Sequence, residues 1–310
     1  MRVIVAGMGV QGEKRKRTAG PDVVATVDPV KCNTDFRSVR DVPLDRYDAV
    51  LACVPDASKP EMLSYLLQNG KHVLVEKPLL SQTKGDLLEL KALAGRNGVV
   101  CYTAYNHRFE PHFVRMKALL DSGTLGRIYA VRMFYGNGTA RLVRESEWRD
   151  EGPGVLADLG SHLLDTLHFW FGAESLSAPF RVRFANRFEN RSFDHVVIEQ
   201  DDVMSVQLEM TLLMWRNHFS CDILAEKGTA HIESLCKWGP SIFRHRVRVL
   251  PSGRPPEEAV TLVRDDPTWD LEYSYFKDLC ISGVDGNIGT DIWLDSRLRK
   301  LRDDALGMNG

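Results

Sequence analysis

The sequence predicts an α/β protein, with an N-terminal doubly wound parallel sheet followed by an α+β domain that has a large open antiparallel sheet. Three observations support this. Short apolar strands alternate with helical segments up to about residue 105. A glycine-rich turn directly follows the first strand. Beyond residue 180, short segments of alternating apolar and polar residues predominate. We therefore divide the 310 residues into domains at 1–105 and 106–310.

The first strand leads into a dinucleotide-binding motif. Residues 2–6 are an apolar run, and the next six residues fit G-x-G-x-x-G. In this motif the first glycine permits a tight turn, the second lets the backbone approach a pyrophosphate, and the third lets the following helix pack closely. The N-terminus of that helix attracts the anion. We predict a Rossmann domain whose cofactor contacts include Gly7, Gly9, Val10, Gln11 and Gly12.

An acidic residue ends the second strand, Val23 to Asp28, about twenty residues after the first glycine. A carboxylate at this place suits the hydroxyl groups of the adenosine ribose and repels a 2′-phosphate. Asp28 therefore predicts NAD(H) in preference to NADP(H). The basic run Lys14 to Arg17 in the first helix is interpreted as a solvated helix face.

The alternation of strands and helices continues to residue 104. Predicted strands cover 47–55, 73–77 and 99–104, and predicted helices cover 58–69 and 83–96. Pro78 ends the strand that carries Lys77, because proline cannot donate to a sheet ladder. Ligands of open α/β sheets bind beside the carboxyl ends of the strands. We therefore add Val54, Pro55, Glu76 and Lys77 to the predicted cofactor contacts.

The second domain begins with a predicted helix at 111–122 and a strand at 126–135. Residues 136–153 are predicted to form an irregular flap, and 155–171 a helix. Asp158, His162 and Asp165 share one face of that helix. Predicted strands follow near 181–187, 195–200, 203–211, 215–224, 228–233 and 243–250. Residues 251–268 are predicted to be an exposed excursion, and helices near 271–282 and 291–306 end the chain.

Composition excludes several classes of function. The formal net charge of −2 predicts no recruitment of nucleic acid or of an anionic membrane. The six cysteines are scattered without a C-x-x-C pair, which favours a reduced, cytoplasmic protein without a structural zinc. No apolar run approaches the length of a membrane span, and the N-terminus lacks the features of a signal peptide. We predict no metal cofactor, although Asp158, His162 and Asp165 on one helix face keep the possibility of a metal site open.

Several motifs occur in the order typical of one family. After the glycine motif come Val54-Pro55-Asp56, the segment Gly70 to Leu79 with Glu76-Lys77-Pro78, Asn106 to Pro111, Gly126-Arg127-Ile128, and Asp158-x-x-x-His162. This pattern resembles the Gfo/Idh/MocA family of NAD(P)-dependent oxidoreductases and covers roughly the first 170 residues. The resemblance implies a Rossmann domain, a sheet domain that forms a homodimer or homotetramer, and hydride transfer to or from a sugar, polyol or sugar derivative.

Carried over by position, the resemblance implies that Lys77 is the catalytic lysine and that Asp158 and His162 are its partners. Oxidation of a secondary alcohol needs a base near neutral pH, which suits an imidazole, and a donor to the developing alkoxide, which suits an ammonium. The further predicted substrate contacts are Asn106, Arg108, Trp148, Arg149 and Asp165.

Three alternatives stay open at this stage. The substrate could be a sugar nucleotide, with Arg108, Arg141, Arg144 and Arg149 meeting its phosphates. The chain could be a non-catalytic dinucleotide sensor on the same fold. It could also be a partner-binding module that acts through its sheet face. The substrate and the direction of reaction do not follow from the sequence.

Overall fold

The computed structural model describes residues 1–81, 85–146, 149–251 and 253–308. The chain divides into two compact units. The first comprises Met1–Asn106 and Thr268–Asp295, and the second comprises His107–Pro267 and Ser296–Gly310. Residues 268–295, which lie in the range 106–310 that the sequence assigns to the second domain, belong to the first unit.

The first unit is built on a five-stranded parallel sheet in the order β2-β1-β3-β4-β5. Its strands are β1 (Val3–Ala6), β2 (Val23–Val27), β3 (Ala49–Ala52), β4 (His72–Glu76) and β5 (Cys101–Ala104). Every residue of β1, β3 and β5 is buried. Strands covered on both faces need continuous apolar runs, which explains why they were visible in the sequence.

Helices cover both faces of this sheet. They are α1 (Val10–Ala19), α2 (Lys59–Gln68), α3 (Asp86–Arg96) and α7 (Thr268–Ser282), and α8 (Ile288–Gly307) begins in this unit. Leu63 of α2 and Leu90 of α3 pack with one face of the sheet. Ala19 of α1 and Phe276 of α7 pack with the other. The last helices therefore complete the cover of the N-terminal sheet, which is the physical reason why residues 268–295 group with the first unit.

The second unit is built on an eight-stranded, mostly antiparallel sheet in the order β13-β12-β11-β10-β6-β9-β8-β7, in which β6 and β9 are parallel. Its strands are β6 (Ile128–Gly136), β7 (Arg181–Asn186), β8 (His195–Asp201), β9 (Ser205–Thr211), β10 (His218–Ala225), β11 (Gly228–Glu233), β12 (Ser241–Val247) and β13 (Glu257–Leu262). Val206, Leu208 and Met210 of β9 are buried, as their alternation predicts.

Among the described residues, α4 (Pro111–Asp121), α5 (Ala140–Arg144) and α6 (Val155–Phe171) lie wholly in the second unit, and α8 ends in it. Helix α6 packs on β6, β8 and β9, and it ends at Gly172, which has a φ of 73°. Within the described ranges, no helix is both long and apolar enough to cross a membrane.

Two local predictions for the second unit were wrong. Residues 136–153 are not wholly irregular, because they contain the short helix α5. Residues 251–268 are not only an excursion, because β13 pairs with β12 at the edge of the sheet. None of the β13 side chains is fully buried, so an edge strand of this kind lacks the alternation that marks a half-buried strand.

Candidate active site

The glycine turn is tightly constrained at its first and third glycines. Gly7 has a φ of +88°, and a Cβ atom there would lie 2.3 Å from the carbonyl oxygen of Cys53. A Cβ atom at Gly12 would lie 1.9 Å from the carbonyl oxygen of Gly7. A Cβ atom at Gly9, by contrast, would meet no protein atom within 4 Å. The turn is therefore closed on its protein side and open where the motif is expected to meet a pyrophosphate.

The open side of the turn coincides with the start of α1. Gly9 is the N-cap residue of the helix, and the side chains of Val10 and Gln11 are exposed. The first N–H groups of a helix have no partner within the helix and attract anions. The residues present at this end of α1 fit the phosphates of a dinucleotide.

Asp28 contacts the glycine turn directly. Its Oδ2 atom accepts a hydrogen bond from the N–H of Met8 at 2.8 Å, and its Oδ1 atom accepts from the N–H groups of Val30 and Lys31 at 2.9 Å each. Burial opposes ionisation, but these three backbone donors lower the pKa of Asp28. A carboxylate has about four lone-pair sites, so one remains to accept from a ribose hydroxyl.

The parallel sheet gathers the predicted cofactor residues of the first unit at one edge. Ala6 of β1 pairs with Val27 of β2 and Ala52 of β3, and Ala52 pairs with Val75 of β4. The residues that follow these strands therefore emerge on the same side. They are the turn at 7–12, Asp28, Val54 with Pro55, and Lys77, which is partly exposed.

Glu76 is engaged in an ion pair rather than facing open space. Its Oε1 atom accepts from Nε of Arg15 at 2.7 Å, and Nη2 of Arg15 lies 2.7 Å from Glu272 of α7. The Arg15 guanidinium also lies 4.2 Å from the ring centroid of Trp269. Arg15 is 1% exposed, so the interpretation of residues 14–17 as a solvated face was wrong at this position.

In the second unit, α6 presents the predicted catalytic pair. Asp158 lies in its first turn, with a side chain 36% exposed and Oδ2 at 3.9 Å from Nη2 of Arg149. One turn later, His162 is buried and its ring stacks on that of His107, with centroids 4.0 Å apart and planes at 18°. Both imidazoles also contact Tyr135, at centroid distances of 5.4 Å for His107 and 6.1 Å for His162.

The remaining substrate predictions lie in different surroundings. Asp165 is 1% exposed and binds Arg108 through two nitrogens, with Nε–Oδ2 at 2.9 Å and Nη2–Oδ1 at 2.5 Å. Burial raises the pKa of Asp165, and Arg108 opposes this rise. Asn106 belongs to the first unit, where its amide donates to the hydroxyl of Thr268 at 2.7 Å. Trp148 lies outside the described residues.

Sequence reasoning did not identify a turn that lies beside α6. Residues 236–238 form a single helical turn after β11, in which the N–H of Cys236 donates to Glu110 at 3.3 Å. Nζ of Lys237 lies 4.8 Å from the Trp238 ring centroid. Lys237 is exposed to solvent and interacts electrostatically with the carboxylates of Asp266, Glu110 and Asp158. No local signal marks this turn, because its relation to Asp158 depends on the register of the sheet.

The face of α6 offers little for a metal. Of the three polar residues on this face, Asp165 is paired with Arg108. Asp158 and His162 are then the two possible metal ligands on the face. In the part of the chain that the structure describes, no group of three or more His, Cys, Asp or Glu side chains could hold a metal ion.

Comparison with known proteins gives matches across both units. Residues 3–105 match the domain described as "Oxidoreductase family, NAD-binding Rossmann fold". Residues 113–231 match the "GFO/IDH/MocA C-terminal domain".

Among curated relatives, an uncharacterized oxidoreductase of Synechocystis is 30% identical over 240 residues, which is 70% of this chain and 63% of that protein. The scyllo-inositol 2-dehydrogenase (NADP(+)) of Bacillus subtilis is 26% identical over 51% of this chain and 44% of its own length. The scyllo-inositol 2-dehydrogenase (NAD(+)) of the same species is 28% identical over 45% and 40%. The matches thus span less than two thirds of these relatives.

Solved structures share the fold over nearly the whole chain. Levoglucosan dehydrogenase in complex with NADH superimposes with a TM-score of 0.84 at 15% identity, covering 99% of this chain and 97% of the other. GenD2 from gentamicin A biosynthesis, in complex with NAD, gives a TM-score of 0.77 at 18% identity, covering 99% and 94%. Together with the two matched domains, the glycine turn and the motifs around Lys77 and His162, these similarities show that this chain belongs to the Gfo/Idh/MocA family of oxidoreductases and contains its NAD-binding Rossmann domain.

Proposed function

We propose that this protein is an NAD(H)-dependent oxidoreductase that interconverts a secondary alcohol and a ketone on a sugar, polyol or sugar derivative. The observation that carries the proposal is the carboxyl edge of the parallel sheet. There the open side of the glycine turn, Asp28 and Lys77 follow β1, β2 and β4 of the same parallel sheet. Relatives named as inositol and levoglucosan dehydrogenases support the substrate class.

Asp28 is the basis for preferring NAD(H). Relatives of similar identity are named for NAD(+) and for NADP(+), so similarity alone does not decide between the cofactors. Three backbone N–H groups favour the ionised form of Asp28, and a carboxylate repels a 2′-phosphate. Tighter binding of NADPH than of NADH would contradict this argument.

Three side chains carry the proposed chemistry. Bound NAD+ would accept the hydride from the alcohol carbon. The imidazole of His162 takes the hydroxyl proton and returns it in the reverse reaction. The ammonium of Lys77 donates a hydrogen bond to the reacting oxygen and stabilises its negative charge. Asp158, one turn before His162, orients this hydrogen-bond network.

The arginines give less support to a sugar-nucleotide substrate. Arg108 is paired with the buried carboxylate of Asp165, and Arg149 lies near Asp158. A phosphate group would have to compete with these carboxylates. We therefore favour a substrate without a nucleotide.

Lys77→Ala tests the proposal after a screen of sugars, inositols and sugar nucleotides has identified a substrate. The loss should lower turnover by about three orders of magnitude and leave the NADH dissociation constant within about threefold, because the interaction is formed in the transition state. Fluorescence titration with NADH and absorbance of the nicotinamide measure the two effects. Turnover of Lys77→Ala close to that of the wild type would refute the role of Lys77, and NADH binding without turnover of any substrate would favour a sensor.

We further propose that the eight-stranded sheet mediates a homodimer or homotetramer. One face of the sheet is covered by α6, while the opposite face of β9 exposes Ser205 and Gln207. Light scattering at micromolar concentration tests the assembly, and a monomeric mass would contradict it.

A further inference from the structure

A buried lysine contacts the backbone on both sides of Lys77. Nζ of Lys59 donates to the carbonyl oxygen of Glu76 at 2.7 Å and to that of Pro78 at 2.8 Å. It also lies 2.6 Å from Oδ1 of Asp56. Lys59 is 3% exposed, and an ammonium has three N–H donors. These three partners therefore account for its full donor capacity.

The two carbonyl groups belong to the residues immediately before and after Lys77. Each is fixed by a charge-assisted hydrogen bond, which is stronger than a bond between neutral groups. The preceding side chain is fixed as well, because Glu76 binds the buried Arg15 of α1. The orientation of the Lys77 backbone thus depends on cations from two helices, α1 and α2. Of these two cations, Lys59 is the one that binds the backbone of the turn.

We propose that Lys59 is a positioning residue, which holds the turn at 76–78 so that the Lys77 ammonium meets the reacting oxygen in a productive orientation. Lys59 does not itself touch the substrate, since its donors are used by the protein. The inference rests on the proposed function for the role of Lys77. The contact between Lys59 and the turn can be tested without any substrate.

Lys59→Met removes the donors and retains an unbranched side chain. Lys71 provides a matched control at the opposite end of the same strand, because its Nζ also donates to two backbone carbonyls, those of Leu44 at 2.6 Å and Tyr47 at 2.9 Å. Lys71→Met therefore removes the same kind of contact from the same unit at a distance from the candidate site. Because Lys71 is less buried than Lys59, the variants are compared where both are folded, and a purely structural role of Lys59 then predicts the same kcat for both.

The first measurement is amide hydrogen exchange in the full-length protein. Lys59→Met should raise the exchange rate of a peptide spanning 74–81 by about tenfold. In this variant the turn can open without breaking the two hydrogen bonds that Lys59 donates in the wild type. Lys71→Met should leave that peptide unchanged. Unchanged exchange in Lys59→Met would overturn the proposal, whatever the enzyme's activity.

The second measurement is steady-state kinetics on the substrate that the wild type turns over fastest. We expect Lys59→Met to lower kcat by about 10- to 100-fold, as for a displacement of roughly 1 Å, with KM and the NADH dissociation constant within about threefold. Lys71→Met should keep kcat within about twofold of the wild type. Equal kcat values for folded Lys59→Met and the wild type would overturn the positioning role.

The two measurements separate the possible failures. If the wild type turns over no substrate, the proposed function fails, and if Lys77→Ala turns over normally, the role of Lys77 fails. In either case hydrogen exchange alone decides whether Lys59 holds the turn. If Lys59→Met does not fold, Lys59→Gln, which keeps an amide donor, replaces it in both measurements with the same expected directions. A loss of kcat in Lys71→Met as large as that in Lys59→Met would show that the effect is general destabilisation and would overturn the proposal.

Discussion

The buried pair between Arg108 and Asp165 allows a structural role to be separated from a substrate contact. Arg108→Met removes the guanidinium and keeps much of the side-chain volume. Because Asp165 is 1% exposed, the variant leaves a buried carboxylate without its two-nitrogen partner. Breaking a buried pair in this way typically costs about 3–5 kcal/mol of unfolding free energy. At about 2–4 °C per kcal/mol, the melting temperature of this unit should fall by roughly 10 °C.

The pH dependence of this loss is a second signature. Without Arg108, the pKa of Asp165 rises further, because burial is no longer opposed. The folded carboxyl then takes up a proton above the unfolded pKa of about 3.9. Protonation relieves the penalty, so the difference in stability between the variant and the wild type should shrink as the pH falls. Thermal unfolding at pH 7.5 and pH 5 measures this change.

Two control variants complete the test. Asp165→Asn should cost less than Arg108→Met, because the guanidinium side chain is 18% exposed and can be partly solvated. The double variant Arg108→Met/Asp165→Leu should recover most of the stability, since an apolar pair can replace a buried ion pair. An unchanged melting temperature in Arg108→Met together with a large rise in KM would refute this reasoning and return Arg108 to the substrate contacts.

The glycine turn and a buried histidine give two further predictions. Gly12→Ala should destabilise the first unit by about 1–3 kcal/mol, because its Cβ would overlap the Gly7 carbonyl oxygen. Gly9→Ala should have the melting temperature of the wild type but bind NADH at least about tenfold more weakly, since its Cβ enters the space left for the ligand. Normal NADH affinity in folded Gly9→Ala would contradict the motif. Burial lowers the pKa of His112, whose Nε2 lies 3.1 Å from the Ser241 carbonyl oxygen. The stability that neutral His112 contributes is therefore complete above the unfolded pKa of about 6.5, and it is lost as the pH falls towards the folded pKa. Melting curves at pH 7.5 and 5.5 should show a smaller pH effect in His112→Gln, and an equal effect in both proteins would argue against this assignment.

The parallel sheet could be predicted because its signals are local. Strands that are buried on both faces require continuous apolar runs, and β1, β3 and β5 have them. The glycine turn could be predicted for the same reason, since its constraints arise within six residues of chain. β13 was missed because an exposed edge strand needs no apolar alternation.

The position of α7 could have been inferred from the number of helices rather than from a motif. Residues 1–105 supply α2 and α3 to one face of the sheet and only α1 to the other. A doubly wound sheet needs cover on both faces, so a helix from elsewhere in the chain had to fill the second one. Tyr273 and Phe276 do this, but their sequence alone does not distinguish them from the core of the second unit.

The charged residues that surround Lys77 could not be predicted, for a physical reason that bears on the function. Arg15 and Lys59 lie on helices beside exposed polar residues. Both contact Glu76, which is 61 residues from Arg15 and 17 residues from Lys59 in the sequence. Burying two cations is costly unless each is fully paired. Arg15 is paired with the side chain of Glu76, which precedes Lys77. Lys59 is paired with the backbone carbonyls of Glu76 and Pro78, on either side of Lys77. Arg15 also joins the turn to Glu272 of α7, whereas the donors of Lys59 go to the two carbonyls beside Lys77 and to Asp56. A turn that only ended a strand could use an apolar side chain in place of Lys59 at lower cost, which is the physical argument for the positioning role proposed for Lys59.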